Sequence, residues 1–355
     1  MNGKVTVLGS YNVYIGSGII SNLPDLINSK NYSNIALITD NVVEKYCLKD
    51  IEKALPKNFF KIIIGAGEQF KNIETVQDIW QKLLLNGCDR KSLVINLGGG
   101  TISDVGGFAA SIYMRGLDFL NIPTTLLAQV DASVGGKVGI DFAGIKNLIG
   151  TFNQPKAVII DVNTLSSLPK REFLSGFAEI IKHGAIKDRK YFDKVTSKHP
   201  LKFTTEELSQ IISSSIKIKT DIIQDDETEN DTRKILNFGH TVGHAIESLS
   251  LETKTPLLHG EAVSIGMATE AKLSHSLGLI PSSDLKIIEQ SLINAGLPIS
   301  IPNMTTKAII KKMQSDKKNV GGKINFTLLR KIGTAIINQT VPTPVIKQAL
   351  KQTMK

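Results

Sequence analysis

The first half of the chain is patterned for a parallel sheet. Short apolar runs recur along it: Asn34-Ile35-Ala36-Leu37-Ile38-Thr39-Asp40, Phe60-Lys61-Ile62-Ile63-Ile64, Ser92-Leu93-Val94-Ile95-Asn96-Leu97 and Ala157-Val158-Ile159-Ile160-Asp161. Longer helix-like stretches separate them, from Val42 to Leu55 and, most clearly amphipathic, from Ile73 to Leu85. Strands alternating with helices pair in parallel through crossover connections. Val5 to Leu8 and Tyr11 to Ile15 read as an opening hairpin. After Asp161 the period becomes helical and stays so to the C-terminus, with a break at Leu168-Pro169. The expected fold is an α/β domain with a parallel sheet over residues 1–165 and a mostly α-helical domain over residues 166–355.

In such sheets ligands bind at the carboxyl ends of the strands. The most informative strand end is Gly98-Gly99-Gly100-Thr101-Ile102-Ser103-Asp104, where three glycines open a helix. Backbone N–H groups there can approach a phosphate, and the helix N-terminus favours its charge. The spacing is not the GxGxxG fingerprint, and a tight turn is the alternative. Downstream, Asp131, Lys137, Lys146 and Asn147 sit among glycines and small residues in what read as anion-binding loops. The apolar flanks Leu126-Leu127 and Leu148-Ile149 argue against ordinary solvated loops.

The second half carries the stretch Ile235-Leu236-Asn237-Phe238-Gly239-His240-Thr241-Val242-Gly243-His244-Ala245-Ile246-Glu247. Read as a helix, it puts His240 and His244 on one face. A third histidine, His259, follows. Either this is a zinc site, completed by a carboxylate from elsewhere, or a buried helix with hydrogen-bonded histidines. Glu179 and Lys182 are three apart in the apolar helix Gly176 to Gly184. A carboxylate buried there must be paired with the lysine or bound to metal. An acidic turn, Asp225 to Glu229, precedes Arg233 and Asn237, which makes Glu229 a candidate for site chemistry. His199 and His275 read as surface or core.

A net charge of +9 raises the question of nucleic acid, but the lysines are dispersed and aromatic residues make up only 6% of the chain. No base-stacking platform is expected, and hence no nucleic-acid partner. Two cysteines, Cys47 and Cys88, fit a reducing compartment rather than a disulfide framework. With no apolar leader and no run long enough to span a membrane, a cytoplasmic protein with no membrane association is expected.

Several motifs occur in a telling order. They are Glu68-Gln69-Phe70-Lys71, Gly98-Gly99-Gly100 with Asp104, the block from Pro123 to Lys137, Lys146-Asn147, Gly176 to Lys182, Asn237 to His244, and His259-Gly260-Glu261-Ala262-Val263. Together they make the chain similar, over nearly its whole length, to the 3-dehydroquinate synthases of the sugar phosphate cyclase superfamily. The resemblance implies an N-terminal NAD-binding α/β domain and a C-terminal α domain. It implies a divalent cation, zinc or cobalt, held by Glu179, His240 and His259, so that the i, i+4 histidines are not the ligand pair. His244 and Glu229 become proton-transfer residues, with Lys182, Arg233 and Asn237 beside them in catalysis.

By the same matching, NAD falls to Asp40, Glu68, Lys71, Gly99, Gly100, Thr101, Asp104, Thr124, Thr125, Lys137, Lys146, Thr164 and Ser167. Substrate falls to Asp131, Lys137, Asn147, Lys182, Lys219, Arg233, Asn237, His244 and one of Lys317 or Lys318, with Lys318 preferred. Arg115 matches an arginine that reaches a neighbouring subunit's site, which implies a homodimer. The implied reaction converts 3-deoxy-D-arabino-heptulosonate 7-phosphate into 3-dehydroquinate and phosphate, in the shikimate pathway. Ile145 and Asp141 depart from the frequent glycine and asparagine of relatives without removing a site side chain. The rival readings are another sugar phosphate cyclase and a metal-dependent polyol dehydrogenase.

Overall fold

The computed structural model describes residues 3–7, 9–28, 31–57, 59–227, 231–314 and 324–354. Glu229, Lys317 and Lys318 therefore lie outside the described residues. The chain divides into two compact units, one of Met1–Pro169 with Thr205–Thr220 and one of Lys170–Thr204 with Asp221–Lys355.

The first unit holds β1 (Gly3–Val7), β2 (Tyr11–Gly16), α1 (Leu23–Asn28), β3 (Ile35–Asp40), α2 (Asn41–Glu52), β4 (Phe59–Ile64), α3 (Ile73–Leu85), β5 (Leu93–Gly98), α4 (Gly100–Ile112), β6 (Asp118–Pro123), β7 (Lys137–Phe142), β8 (Ile145–Phe152) and β9 (Ala157–Asp161). Seven strands form one sheet in the order β1-β2-β9-β6-β5-β3-β4. β1 and β2 pair antiparallel, as the opening hairpin requires, and every other pairing in the sheet is parallel. β3, β5 and β9 are buried along their whole lengths, which is why they read as unbroken apolar runs. β4 lies at an edge and keeps Lys61 exposed. α3 starts where the Asn72 side chain accepts the Thr75 N–H. Its Val76, Ile79 and Leu83 are fully buried, contributing roughly 1.5–3 kcal/mol each.

The sheet has a switch point. β3 leads through α2 to its outer neighbour β4, whereas β5 leads through α4 to β6 on the opposite side. The carboxyl ends of β3 and β5 therefore flank a crevice, with Asp40 on one strand and Gly98 on the other.

Two parts of this unit differ from the sequence reading. No strand was expected at Asp118–Pro123, yet β6 forms there because Asn121 is buried and satisfied: it accepts from Asn96 Nδ2 at 3.0 Å and donates to the Ser133 carbonyl at 3.1 Å. The Lys137 to Gly150 segment is not a pair of loops. β7 and β8 form a separate antiparallel hairpin in which Gly139 faces Gly150. A Cβ at either glycine would fall 2.6 or 2.4 Å from a carbonyl of the opposite strand, so these glycines serve close strand approach.

The second unit is mostly helical. α5 (Lys170–Lys187) and α6 (Arg189–Val195) come first, and α7 (Thr205–Asp225) belongs to it only from Asp221 on. α8 (His240–Ser250), α9 (His259–Ser276), α10 (Ser282–Asn294) and α11 (Thr306–Gln314) follow. A small hairpin of β10 (Asn325–Lys331) and β11 (Thr334–Thr340) then precedes α12 (Thr343–Thr353). Its core gathers Val242, Ile246, Ile265, Leu273, Ile309, Phe326, Leu328 and Leu350. The helix expected from Ile235 begins only at His240, and a 3-10 segment over Thr232–Asn237 precedes it. Among the described residues no helix is long and apolar enough to cross a membrane.

Candidate active site

In the first unit Asp40 ends β3, Gly99 and Gly100 follow β5, and Thr124 is hydrogen-bonded to Gly98, so these expected cofactor residues stand at the switch point. Gly99 caps α4 in extended conformation without a side-chain hydrogen bond, leaving the helix's first N–H groups without a local side-chain acceptor. A Cβ at Gly100 would stand 3.2 Å from the Ala132 Cβ, so the backbone there is kept bare. Thr124 donates its backbone N–H to the Gly98 carbonyl at 2.9 Å. Its buried hydroxyl has no hydrogen-bond partner among the described residues. Asp40 spends Oδ1 on the Val42 and Val43 N–H groups at 2.9 and 2.8 Å, which leaves Oδ2 as a further acceptor. A bare helix N-terminus, an orphaned buried hydroxyl and an acid at the neighbouring strand end fit a dinucleotide's pyrophosphate and ribose.

Glu68, Lys71, Thr101, Asp104 and Lys146 form one network. Buried Lys71 binds Asp104 at 2.5 Å, Thr101 donates to Glu68 at 3.1 Å, and Lys146 stands 3.6 Å from Glu68. Burial alone would push the Lys71 ammonium down, but Asp104, Glu68 and Asp141 outweigh it and raise it above the usual lysine range. Glu68, Lys71 and Asp141 also line an open cleft of about 360 Å³. Asn147 adopts φ +51 and donates its N–H to Asp141 at 2.7 Å, while Lys137 is exposed at the start of β7. Asp131 pairs with buried Lys219.

Other expected cofactor residues also make local hydrogen bonds. The Thr125 hydroxyl accepts the Ala128 N–H at 3.2 Å. The Thr164 hydroxyl donates to the Asp161 carbonyl at 2.8 Å and accepts from Gln129 at 3.0 Å. Ser167 reaches the Thr164 carbonyl at 3.3 Å. Arg115 is exposed on a turn where it and Met114 both take positive φ.

In the second unit α5, α8 and α9 bring Glu179, His240 and His259 together, with one ligand atom from each within 4.8 Å of the others. Glu179 is fully buried. Its Oε1 stands 3.5 Å from Nε2 of both histidines, and its Oε2 pairs with the Lys182 ammonium. Two donors bound at 2.0–2.2 Å to a tetrahedral cation stand about 3.4 Å apart, so these separations suit one. Two imidazoles and a carboxylate are also the donor set that leaves a cation an open position for chemistry. The His244 ring centroid lies 5.0 Å from that of His240, edge to face, and 5.8 Å from that of His259.

The Nδ1 atoms orient the rings. His240 Nδ1 lies 3.2 Å from the Phe238 carbonyl, and His259 Nδ1 lies 3.3 Å from Glu247 Oε2. Both contacts leave Nε2 facing Glu179, where a bound cation would take its lone pair. Glu247 was missed as a partner in the sequence, although its place three residues after His244, among apolar neighbours, marks it as a buried acid. His244, Glu247 and His259 could also be counted as a ligand group, but there the acid meets the histidine as an orienting partner.

α9 is held to α5 at this point. Arg171 grips Glu261 through two bonds of 2.7 Å, Glu261 accepts the Leu258 N–H at 2.8 Å, and Gly260 donates to Ser175 Oγ at 3.0 Å. Nearby, Arg233 is buried and donates to the Glu227 carbonyl. Asn237 ends the 3-10 segment leading to His240. His199 and His275 stand apart, each in a local backbone contact.

Burial alone would push the His259 imidazolium down. Glu247 and Glu179 outweigh it and raise it to about 10. The folded value lies above the unfolded one, so the proton's stabilisation is complete below about pH 6.5 and is lost as pH climbs through about 10. A cation at Nε2 must displace that proton. Between pH 7 and 9, zinc uptake by the chelator-stripped protein is expected to release close to one proton at this residue, with apparent affinity rising about tenfold per pH unit. Zinc titration in dilute indicator dye reads both, and a flat affinity with no proton release would remove His259 from the ligand set.

The chain is similar to known proteins over nearly its whole length. The family model described as 3-dehydroquinate synthase N-terminal matches residues 61–175, and its C-terminal counterpart matches residues 176–319. A 3-dehydroquinate synthase of Thermodesulfovibrio yellowstonii is 43% identical over 350 residues, covering 97% of this chain and 97% of that protein. One from Alkaliphilus metalliredigens is 43% identical, covering 94% and 93%. Among solved structures, the 2-epi-5-epi-valiolone synthase of Streptomyces hygroscopicus, with NAD+ and Zn2+ bound, superposes with a TM-score of 0.87 at 28% identity, covering 97% of this chain and 96% of that one. With both family models matched and full-length relatives at this identity, the chain belongs to the 3-dehydroquinate synthase family.

Proposed function

We propose that this protein converts 3-deoxy-D-arabino-heptulosonate 7-phosphate into 3-dehydroquinate and phosphate. The sequence of events is transient oxidation, phosphate elimination, re-reduction, ring opening and intramolecular aldol closure. The observation that carries the reading is the convergence of Glu179, His240 and His259 in a chain 43% identical over 97% of its length to a 3-dehydroquinate synthase. NAD at the β3–β5 crevice would supply a hydride acceptor that is restored in each turnover, and a zinc or cobalt ion on Glu179, His240 and His259 a Lewis acid.

The chain's own groups hold, orient and exchange protons. Buried Lys182, charged against Glu179, presents an ammonium to a substrate oxygen. Arg233 and Asn237 fix anionic and hydroxyl groups, and Asp131, Lys137, Asn147, Lys219 and Lys318 share the substrate's binding. His244, one helical turn from His240, carries a proton to or from the substrate, with Glu229 in a like role. Elimination also needs a proton acceptor, and the departing phosphate can itself serve.

A homodimer is part of the reading. Ile112 and Met114 before Arg115, and Phe142, Ile145 and Phe152 on the β7–β8 hairpin, are large exposed apolar side chains that a second copy would cover. A cytoplasmic setting agrees with both cysteines being free thiols.

The deciding experiment follows phosphate release from the heptulosonate phosphate with substoichiometric NAD, with and without chelator, while recording NADH absorbance. Chelator-sensitive release without lasting NADH is expected. No release from this substrate, but release from another sugar phosphate, would point to a different cyclase. NADH accumulating on a polyol would point to a dehydrogenase.

A further inference from the structure

We infer that Glu270, in the middle of α9, is a positioning residue for the metal-type site. Its carboxylate holds the first turn of α8, and thereby His240, in place. The inference rests on the assignment of Glu179, His240 and His259 to a cation.

His240 is the first residue of α8, and the residue before it, Gly239, is the helix cap. A helix start needs acceptors for its exposed N–H groups, and Ser, Thr, Asp or Asn at the cap normally supply one. None of these fits at position 239. The backbone there has φ +81, and a Cβ would lie 2.6 Å from Met267 Cγ and 2.9 Å from the Val263 carbonyl. The acceptor has to come from another element. Glu270 provides it: Oε2 accepts the Gly239 N–H at 2.6 Å and Oε1 accepts the Val242 N–H at 3.1 Å. Glu270 is fully buried. One carboxylate thus brackets His240 through the backbone on both sides, and its negative charge suits the positive end of the helix.

The same helix, α9, begins with the other histidine, His259. It therefore carries one imidazole at its start and, three turns on, the acid that seats the other. Close packing between the two helices makes the coupling stiff, since a Cβ at Gly266 would stand 1.8 Å from the Gly239 carbonyl oxygen. Fixing a ligand's backbone sets the approach of its Nε2, which is what a metal site needs of its supporting shell.

Glu270→Gln tests this, because the Gly239 and Val242 N–H groups are bound by separate carboxylate oxygens, and the amide replaces one of these with an N–H2 donor that must then face one of the N–H groups. Cobalt affinity, by competition with a chromophoric chelator, is expected to fall about tenfold or more. The visible spectrum of the bound cobalt should change shape as the His240 geometry shifts. Two comparisons run alongside. Thr269→Val, on the same helix but hydrogen-bonded to the Ile265 carbonyl instead, should lower the thermal midpoint while leaving cobalt affinity and spectrum alone. Glu179→Gln should abolish cobalt binding.

Glu270→Gln with wild-type affinity and spectrum, whatever its thermal midpoint, overturns the proposal and leaves Glu270 a structural cap only. If Glu179→Gln also binds cobalt normally, the underlying ligand assignment fails instead. Should Glu270→Gln not fold, Glu270→Asp, which keeps the charge on an arm one methylene shorter, is read by the same two quantities.

Discussion

Glu179→Gln is expected to strip the protein of its cation and to lower phosphate release by about a thousandfold or more. An amide is a weak, neutral donor. Its nitrogen would have to face either the Lys182 ammonium or the two imidazole nitrogens that converge on Oε1. The substitution also leaves the lysine buried with its charge uncompensated, since Lys182 is only 1% exposed. Breaking such a pair from one side destabilises by about 3–5 kcal/mol. The two effects separate in a double variant. Adding Lys182→Met should restore much of the lost stability, measured by urea unfolding in chelator, while bound zinc stays near zero by elemental analysis. Wild-type zinc content and turnover in Glu179→Gln would dismiss the ligand assignment.

The sequence could be read where chemistry is local. β3, β5 and β9 are buried on both faces, so each appears as an apolar run, and α3 shows its apolar side at helical spacing between a capping Asn72 and Asn86. β6 was hidden because the buried Asn121 looks like a loop residue until its partner Asn96, on the neighbouring strand, is known. The β7–β8 hairpin was hidden because Gly139 and Gly150 suggest loops, whereas they pair with each other across the hairpin. β10 and β11 have mixed faces and register shifts, which blur any alternation.

The site divides in the same way. Glu179, His240 and His259 come from three helices, so no spacing rule links them, and the i, i+4 pair of His240 and His244 is not the set that converges on Glu179 Oε1. The motif order supplied the triad. The supporting contacts were out of its reach, because Glu247, Arg171 and Glu270 act through three-dimensional approach. Glu270 left one trace, as an acid among small and apolar residues from Ala262 to Ala271.

Gly266→Ala should be nearly as damaging as loss of a ligand, although residue 266 touches no cation. Its Cβ would fall 1.8 Å from the Gly239 oxygen, 2.8 Å from the carbonyl carbon and 2.9 Å from the Gly243 nitrogen. All three are backbone atoms, so no rotamer change relieves the clash and α8 must move off α9. That movement lengthens the Glu270 bonds to Gly239 and Val242 and carries His240 away from His259. Overpacking of this kind destabilises by about 3 kcal/mol or more, and displacement of one imidazole should weaken zinc binding about a hundredfold. Two further substitutions separate close approach from ordinary loss of glycine. At Gly243 the nearest atom is the Ala262 oxygen at 3.0 Å, so Gly243→Ala should act in the same direction but more mildly. At Gly278, with φ +72 and nothing within 4 Å, an alanine should lower stability by about 1 kcal/mol through backbone strain alone and leave zinc affinity unchanged. Zinc competition and urea unfolding across the three variants order them 266, 243, 278 if helix separation governs the site. Equal zinc affinity at 266 and 278 would mean that the α8–α9 contact does not set the distance between the histidines.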